Sequence, residues 1–266
     1  MKKFILNADD FGLSEYHNRA VLYGYESGIL KSASLMVNTS SFSEAVSSVI
    51  PNCPDLNIGI HLNIMEGKAL TDCPLLTDKN GNFNKSYLYL ILKQYDKNFK
   101  KQVEAEFRAQ IEKALQNGVE IKHLDSHVHT HAVPELFKIA CELAKTHNIP
   151  YIRTQMEKPY LVFPRCFSIK FLINLVKVAL LNFFSSINKK ILIKYNLKTN
   201  DNIIGVCYTG MMNSKTVSSA LKQYENKLVE IIIHPCFYED GRINSHSKEF
   251  LITQDETLKA NFLNNT

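Results

Sequence analysis

The sequence predicts an α/β fold in which parallel strands close into one irregular, TIM-barrel-like (β/α) barrel of seven or eight strands. Three observations predict it. Segments patterned as buried strands alternate with helical segments seven or eight times, the order that builds a parallel sheet. The 266 residues contain no low-complexity linker, so residues 1–266 read as a single domain of ordinary barrel length. Third, Asp9, Asp10, His61, Asp125, His127, Arg153 and His234 all stand at or just beyond the carboxyl ends of predicted strands. In a parallel barrel those ends share one face, and that face carries the site.

Lys3 to Ala8 is the first apolar strand. It ends in Asn7-Ala8-Asp9-Asp10-Phe11-Gly12, and Ser14-Glu15 then opens a helix carrying Val21, Leu22 and Tyr25. Ser34 to Asn38 repeats the theme, with a helix from Phe42 to Val49 that Pro51 stops. Leu56 to Asn63 is the third strand, with His61 near its end. Residues 66–86 carry Gly, Pro, Asp and Asn at turn frequency and no period, which predicts a long loop. Within 98–117, Val103, Phe107, Ile111 and Leu115 at four-residue spacing define an amphipathic helix ended by Asn117-Gly118. Residues 121–131 begin as a strand, Pro134 opens a helix that runs to His147, and Tyr151-Ile152-Arg153 is a short strand. The apolar segment 167–184 follows, and 190–194 fits helix or strand equally well. Asn202 to Tyr208 is strand-like, Ser214 to Asn226 helical, and Leu228 to Ile233 a strand ending in His234-Pro235.

Hydrophobic residues at 45% and charged residues at 21% exclude a disordered chain, and a net charge of +5 from scattered lysines speaks against a nucleic-acid partner. Six cysteines without a Cys-x-x-Cys pair suit the reduced thiols of a cytoplasmic protein. Only Phe4-Ile5-Leu6 precede the first polar residues, too little for a signal peptide. Within the segment 167–184, residues 171–184 are the most apolar run of the chain, but Asn174, Lys177 and Asn182 interrupt it and it falls short of a membrane-spanning length. No transmembrane span is therefore expected. A buried or partner-packed helix, as in a homodimer, is the simplest reading of that segment, with peripheral membrane contact as the alternative.

Four of the nine histidines fall within Ile121–His131, which points to a metal site. If the stretch continued as a strand, alternation would put His123, Asp125, His127, His129 and His131 on one face. Those five would span about 26 Å at about 3.3 Å per residue, so only one or two can meet one ion. The remaining ligands must come from the other strand ends. One Asp and two His around a divalent ion leave coordination positions open, as catalytic sites do; zinc, for example, lowers the pKa of water from about 15.7 to about 7. Adjacent aspartates at a strand end point apart, one towards the ion and one towards the water. The same divergence argues against a glycosidase pair, whose carboxyl groups face each other across about 5 to 9.5 Å. Arg153 fits a strand-end salt bridge as well as a substrate contact.

With these motifs assembled, the sequence resembles the YdjC-like carbohydrate deacetylase family. The resemblance is carried by Asn7-Ala8-Asp9-Asp10-Phe11-Gly12, Gly59-Ile60-His61-Leu62-Asn63 with Glu66-Gly67-Lys68, His123-Leu124-Asp125-Ser126-His127-Val128-His129, and Ile233-His234-Pro235, in family order over nearly the whole chain. It implies a distorted (β/α) barrel, one divalent metal ion (zinc or magnesium), and hydrolysis of an N-acetyl group on an amino sugar of an oligosaccharide or glycoconjugate. It makes Asp10, His61 and His127 the metal ligands, Asp9 the base, and His234 the acid for the leaving amine. Asp125, His129 and Arg153 are expected to contact substrate or to orient the ligands. Two departures stand out: the family usually continues His-Pro-Gly where this chain has Pro235-Cys236, and here the histidine run extends to His131. The alternatives are a glycosidase acting on a chitin-type or phosphorylated disaccharide, and a non-catalytic metal- or sugar-binding module.

Overall fold

In the computed structural model, which describes residues 3–225 and 227–263, seven segments form strands: β1 (Lys3–Phe11), β2 (Ser32–Leu35), β3 (Asn57–Leu62), β4 (His123–Ser126), β5 (Tyr151–Ile152), β6 (Asn202–Ile204) and β7 (Leu228–Ile233). All pair in parallel, in the order β5-β4-β3-β2-β1-β7-β6. Neighbours in the sheet are neighbours in sequence except where β7 returns beside β1, the succession of a barrel. The sheet curls, and its edge strands β5 and β6 do not pair with each other. The chain beyond them closes the gap instead: Ile203 N–H donates to the Met156 carbonyl (2.8 Å), Thr154 N–H to Asn200 Oδ1 (2.8 Å), and Asn200 Nδ2 to the Thr154 carbonyl (2.7 Å). This is a distorted (β/α) barrel with seven strands among the described residues.

Nine helices are described: α1 (Glu15–Glu26), α2 (Phe42–Glu44), α3 (Tyr87–Lys93), α4 (Lys97–Gln116), α5 (Pro134–Thr146), α6 (Ile169–Tyr195), α7 (Ser214–Leu221), α8 (Ser245–Phe250) and α9 (Glu256–Leu263). Local chemistry sets their starts. Asp96 accepts from the N–H groups of Asn98 and Phe99 at the start of α4, Pro134 opens α5, and Asn213 and Asn244 form capping boxes on α7 and α8. On α4, Val103, Phe107 and Ile111 are buried, whereas Leu115 is exposed.

Period 2 along the strands decides what the barrel encloses. Leu6, Ala8, Ile60, Leu124 and Ile231 are buried in the apolar core. The alternate positions, Asn7, Asp9, Ser34, His123, Asp125, Arg153 and Glu230, are also buried, and they hydrogen-bond or ion-pair to one another across the strands. A polar network thus fills the sheet's concave face. Gly59 is required beside it, because a Cβ there would lie 2.1 Å from His123 Nε2.

The structure departs from the sequence reading at four places. The strand of residues 121–131 stops at Ser126, and His127–Ala132 forms 3-10 turns in which Val128 (φ 52°) and His129 (φ 56°) are left-handed, so the five-residue face does not exist. Residues 190–194 are helical and join the apolar segment into α6, a 27-residue helix about 40 Å long at about 1.5 Å per residue. By length and composition alone α6 could cross a membrane, so the length argument against a span does not hold. Its polar side chains instead anchor it to the barrel: Asn188 Nδ2 donates to the Ala132 carbonyl (2.8 Å), Gln155 N–H donates to Ser185 Oγ (3.0 Å), and Asn182 exchanges two hydrogen bonds with the Glu157 backbone. Its outer face leaves Ile169, Leu172, Val176 and Phe183 exposed. Third, β6 ends at Ile204 rather than continuing to Tyr208, and α7 ends at Leu221; residue 226, within the expected helix, lies outside the described residues. Fourth, α3, α8 and α9 were not expected.

Candidate active site

The end of β1 determines the site. The pairing of β1 with β2 slips between Ala8 and Phe11, and Asp10 sits in this bulge with φ 62°. A regular strand would turn adjacent side chains to opposite faces; the bulge turns both aspartates to one place. His61 Nε2 lies 3.3 Å from Asp10 Oδ1 and 3.9 Å from Asp9 Oδ2. The expected divergence of the two aspartates is therefore replaced by convergence on His61.

Asp10 Oδ1 also accepts from His127 Nδ1 at 2.8 Å, and one donor atom each from Asp10, His61 and His127 fall within 4.8 Å of one another. These donors fit a divalent ion. They comprise one carboxylate and two imidazoles, and His61 gives its other nitrogen, Nδ1, to Asp125 Oδ1 at 2.6 Å. That is the carboxylate–histidine arrangement that orients metal-binding imidazoles. Burial pushes the Asp10 carboxyl up, but hydrogen bonds from His127 and His61 outweigh it and hold the group well below the usual range. Burial pushes both imidazoles down. The charges of Asp125 and Asp9 raise His61 to about 9, and hydrogen bonds to Asp10 and Glu66 raise His127 to about 9. Without an ion, protons hold this cluster together.

Beneath it lies Arg153, fully buried. Its guanidinium donates to both oxygens of Asp9 (2.8 Å each) and pairs with Asp125 (2.7 Å) and Glu230 (2.7 Å). Burial alone would raise the Asp9 carboxyl, yet Arg153 and His61 hold it below the usual range. Fully buried and ion-paired on three sides, Arg153 fits the strand-end salt bridge rather than a substrate contact. Asp125 is fixed on three sides, by His61, by Arg153 and by Ser34 Oγ, which donates to it at 2.5 Å.

His234 ends β7. Glu249 on α8 accepts from both its Nδ1 (3.2 Å) and its backbone N–H (2.6 Å). The His234 side chain is 27% exposed, enough to meet a ligand. Burial pushes its imidazole down, but Glu249 raises it to about 9, so it is protonated at neutral pH.

A family model described as YdjC-like protein matches residues 3–263. A carbohydrate deacetylase of Thermoanaerobacter pseudethanolicus is 31% identical over 250 residues, 93% of this chain and 86% of the relative. The chain belongs to the YdjC-like protein family. A carbohydrate deacetylase of Clostridium beijerinckii is 32% identical over 84% of this chain and 87% of its own. Among solved structures, one from Enterococcus faecalis, assigned provisionally to cellobiose-phosphate cleavage, superposes with a TM-score of 0.75 at 22% identity, covering 99% of this chain and 95% of that one. That likeness supports the barrel fold of this YdjC-like protein.

The other histidines of the 121–131 cluster separate by environment. His123 packs under Gly59 with Nε2 3.1 Å from Ser34 Oγ, and His131 is held between Ser126 Oγ (2.5 Å) and the Arg153 carbonyl (3.0 Å); both are structural. His129 has no hydrogen-bond partner for Nδ1 among the described residues, and burial pushes it down to about 3, so it is neutral. Sequence reasoning missed Ser34, Glu230 and Glu249. Glu66, quoted only as part of a motif, places Oε2 3.4 Å from His127 Nε2.

Proposed function

We propose that this YdjC-like protein is a metal-dependent hydrolase that removes the N-acetyl group from an N-acetylated amino sugar and releases acetate. The observation that carries the reading is the convergence of the Asp10, His61 and His127 donors within 4.8 Å, with Asp9 and His234 beside them at the same strand-end face. Asp10, His61 and His127 would hold one divalent ion, zinc or magnesium, which supplies Lewis-acid polarisation of the acetamide carbonyl and acidifies a water. Asp9, kept ionised by Arg153, accepts the proton of the attacking water through Oδ2, the oxygen that faces His61. His234 arrives protonated and donates to the amine nitrogen as the C–N bond breaks. Asp125 holds His61 in the tautomer with Nε2 free.

The carboxyl groups around the Asp10–His61–His127 cluster argue against a glycosidase. Such an enzyme needs a carboxylic acid kept protonated near neutral pH, whereas Asp9, Asp10 and Glu66 are all held below their ordinary values. The relatives named carbohydrate deacetylase support the same choice. The test is acetate release from a panel running from chito-oligosaccharides to N-acetylglucosaminyl lipids. Asp10→Ala, His61→Ala and His127→Ala are expected to lose metal and acetate release together, and Asp9→Asn to keep metal but lose turnover. Full activity after chelation, or in His127→Ala, refutes the reading.

A further inference from the structure

A second set of metal-capable side chains stands beside His234. His17 projects from α1, Cys236 lies two residues past His234, and His246 is in the first turn of α8. Cys236 Sγ is 3.2 Å from His17 Nε2 and 3.6 Å from His246 Nδ1, and one donor atom from each residue lies within 4.8 Å of the other two. Tetrahedral zinc, with bonds of about 2.3 Å to sulfur and about 2.05 Å to nitrogen, places those ligand atoms about 3.6 Å apart. The two sulfur–nitrogen separations already stand near that spacing.

Orientation and access agree with this. Ser14 Oγ sits 2.8 Å from His17 Nδ1 and turns Nε2 to the sulfur, the outer partner that metal-bound imidazoles have. The backbone holds the donors in place: Cys236 N–H donates to the His246 carbonyl (3.2 Å) and Phe237 N–H to the Tyr16 carbonyl (3.0 Å). His17 and Cys236 are buried, while His246 is half-buried and open to solvent on one side. Cys236 occupies the position at which the chain departs from the His-Pro-Gly pattern.

We propose that His17, Cys236 and His246 form a second metal site, for a thiophilic divalent ion of the zinc type, separate from the Asp10–His61–His127 cluster. Two imidazoles and a thiolate select a softer ion than carboxylate-containing sites do, so the two sites differ in preference. Binding forms the Sγ–metal bond, and the thiol proton leaves to solvent. The fourth coordination position remains for water. Because the three ligands come from α1, the loop after β7, and α8, the ion would clamp the segment that carries His234 and its partner Glu249. That makes it a positioning site.

The experiment is cobalt(II) substitution of the full chain after metal removal. Sulfur ligation gives a near-ultraviolet thiolate-to-cobalt charge-transfer band that the sulfur-free Asp10–His61–His127 cluster cannot produce. The band is expected in the wild type and in Asp10→Ala, and lost in Cys236→Ser. Zinc titration should give two ions for the wild type and one for each variant. X-ray absorption of zinc-loaded wild type needs no variant, and should show a sulfur scatterer at about 2.3 Å. No band at saturating cobalt, a band that persists in Cys236→Ser, or no sulfur scatterer overturns the proposal. The deacetylase reading is judged separately: a sulfur band without acetate release fails that reading alone, and acetate release without a sulfur band fails this one alone.

Discussion

Asp125→Asn separates the orienting role of a carboxylate from metal ligation itself. Asp125 does not belong to the Asp10–His61–His127 cluster, but its Oδ1 takes His61 Nδ1 at 2.6 Å, while Oδ2 takes Ser34 Oγ at 2.5 Å and Arg153 at 2.7 Å. Asparagine has the same shape, keeps one acceptor oxygen and loses the charge. Neutralising the partner of a metal-binding histidine typically costs 10- to 100-fold in affinity, or about 1.4 to 2.7 kcal/mol. The apo fold should lose about 1 to 3 kcal/mol, since the new NH2 faces other donors without an acceptor. The loss stays in that range because Arg153 keeps Asp9 and Glu230. Competition with a chromogenic chelator measures the first quantity and urea unfolding of the apo protein the second. Unchanged metal affinity, or a loss as complete as that of His61→Ala, refutes the reasoning.

Arg153→Met removes the guanidinium shared by Asp9, Asp125 and Glu230, leaving His61 to face the first two, and should cost about 3 to 5 kcal/mol in urea unfolding. Asp9 and Asp125 have depressed folded values in the wild type, a contribution present above about pH 4 and lost on acidification; the variant's deficit should therefore shrink as pH falls. Glu249→Gln removes the group that raises His234 to about 9, so the alkaline limb of kcat/KM should move from near 9 towards about 6.5. A limb that stays put would exclude His234 as the acid. His61 and His127, both at about 9 without an ion, must lose protons when metal binds, so apparent affinity should rise with pH up to about 9 and then level. Calorimetry in buffers of different ionisation enthalpy should show the protons released.

The strand ends were legible because a charged or imidazole side chain inside an apolar run is costly to bury unless it pairs, binds or reacts; Asp9, Asp10, His61, Asp125, Arg153 and His234 all fall where the pattern put them. What failed was continuation. The alternation drawn from His123 to His131 assumed an extended chain, and nothing in Val128-His129, a β-branched residue followed by an imidazole, announces the left-handed turn that ends it. The polar network carried a weaker signal. Asn7 with Asp9, and His123 with Asp125, lie two apart on strands, so period 2 already put each pair on one face. Ser34 and Glu230 could then have been sought in the neighbouring strands. Glu249 had no such signal: it lies in a helix beyond the last strand, and only the fold brings it to His234.

The left-handed residues also tie the fold to the chemistry. Asp10, Val128 and His129 all lie at the site with positive φ, and none is glycine. Each such conformation costs about 1 to 2 kcal/mol for an L-residue, so something must hold the chain there. For Asp10 the holding groups are visible: Oδ1 accepts from His127 and stands 3.3 Å from His61. In the absence of an ion, two raised imidazoles bond the strained aspartate in place; with an ion, the same three donors would be held by the metal instead. The bulge would thus be held in both states, and it allows two consecutive aspartates to serve different purposes. Asp10 is presented to the two histidines, and Asp9 is left against Arg153 with Oδ2 facing the same space.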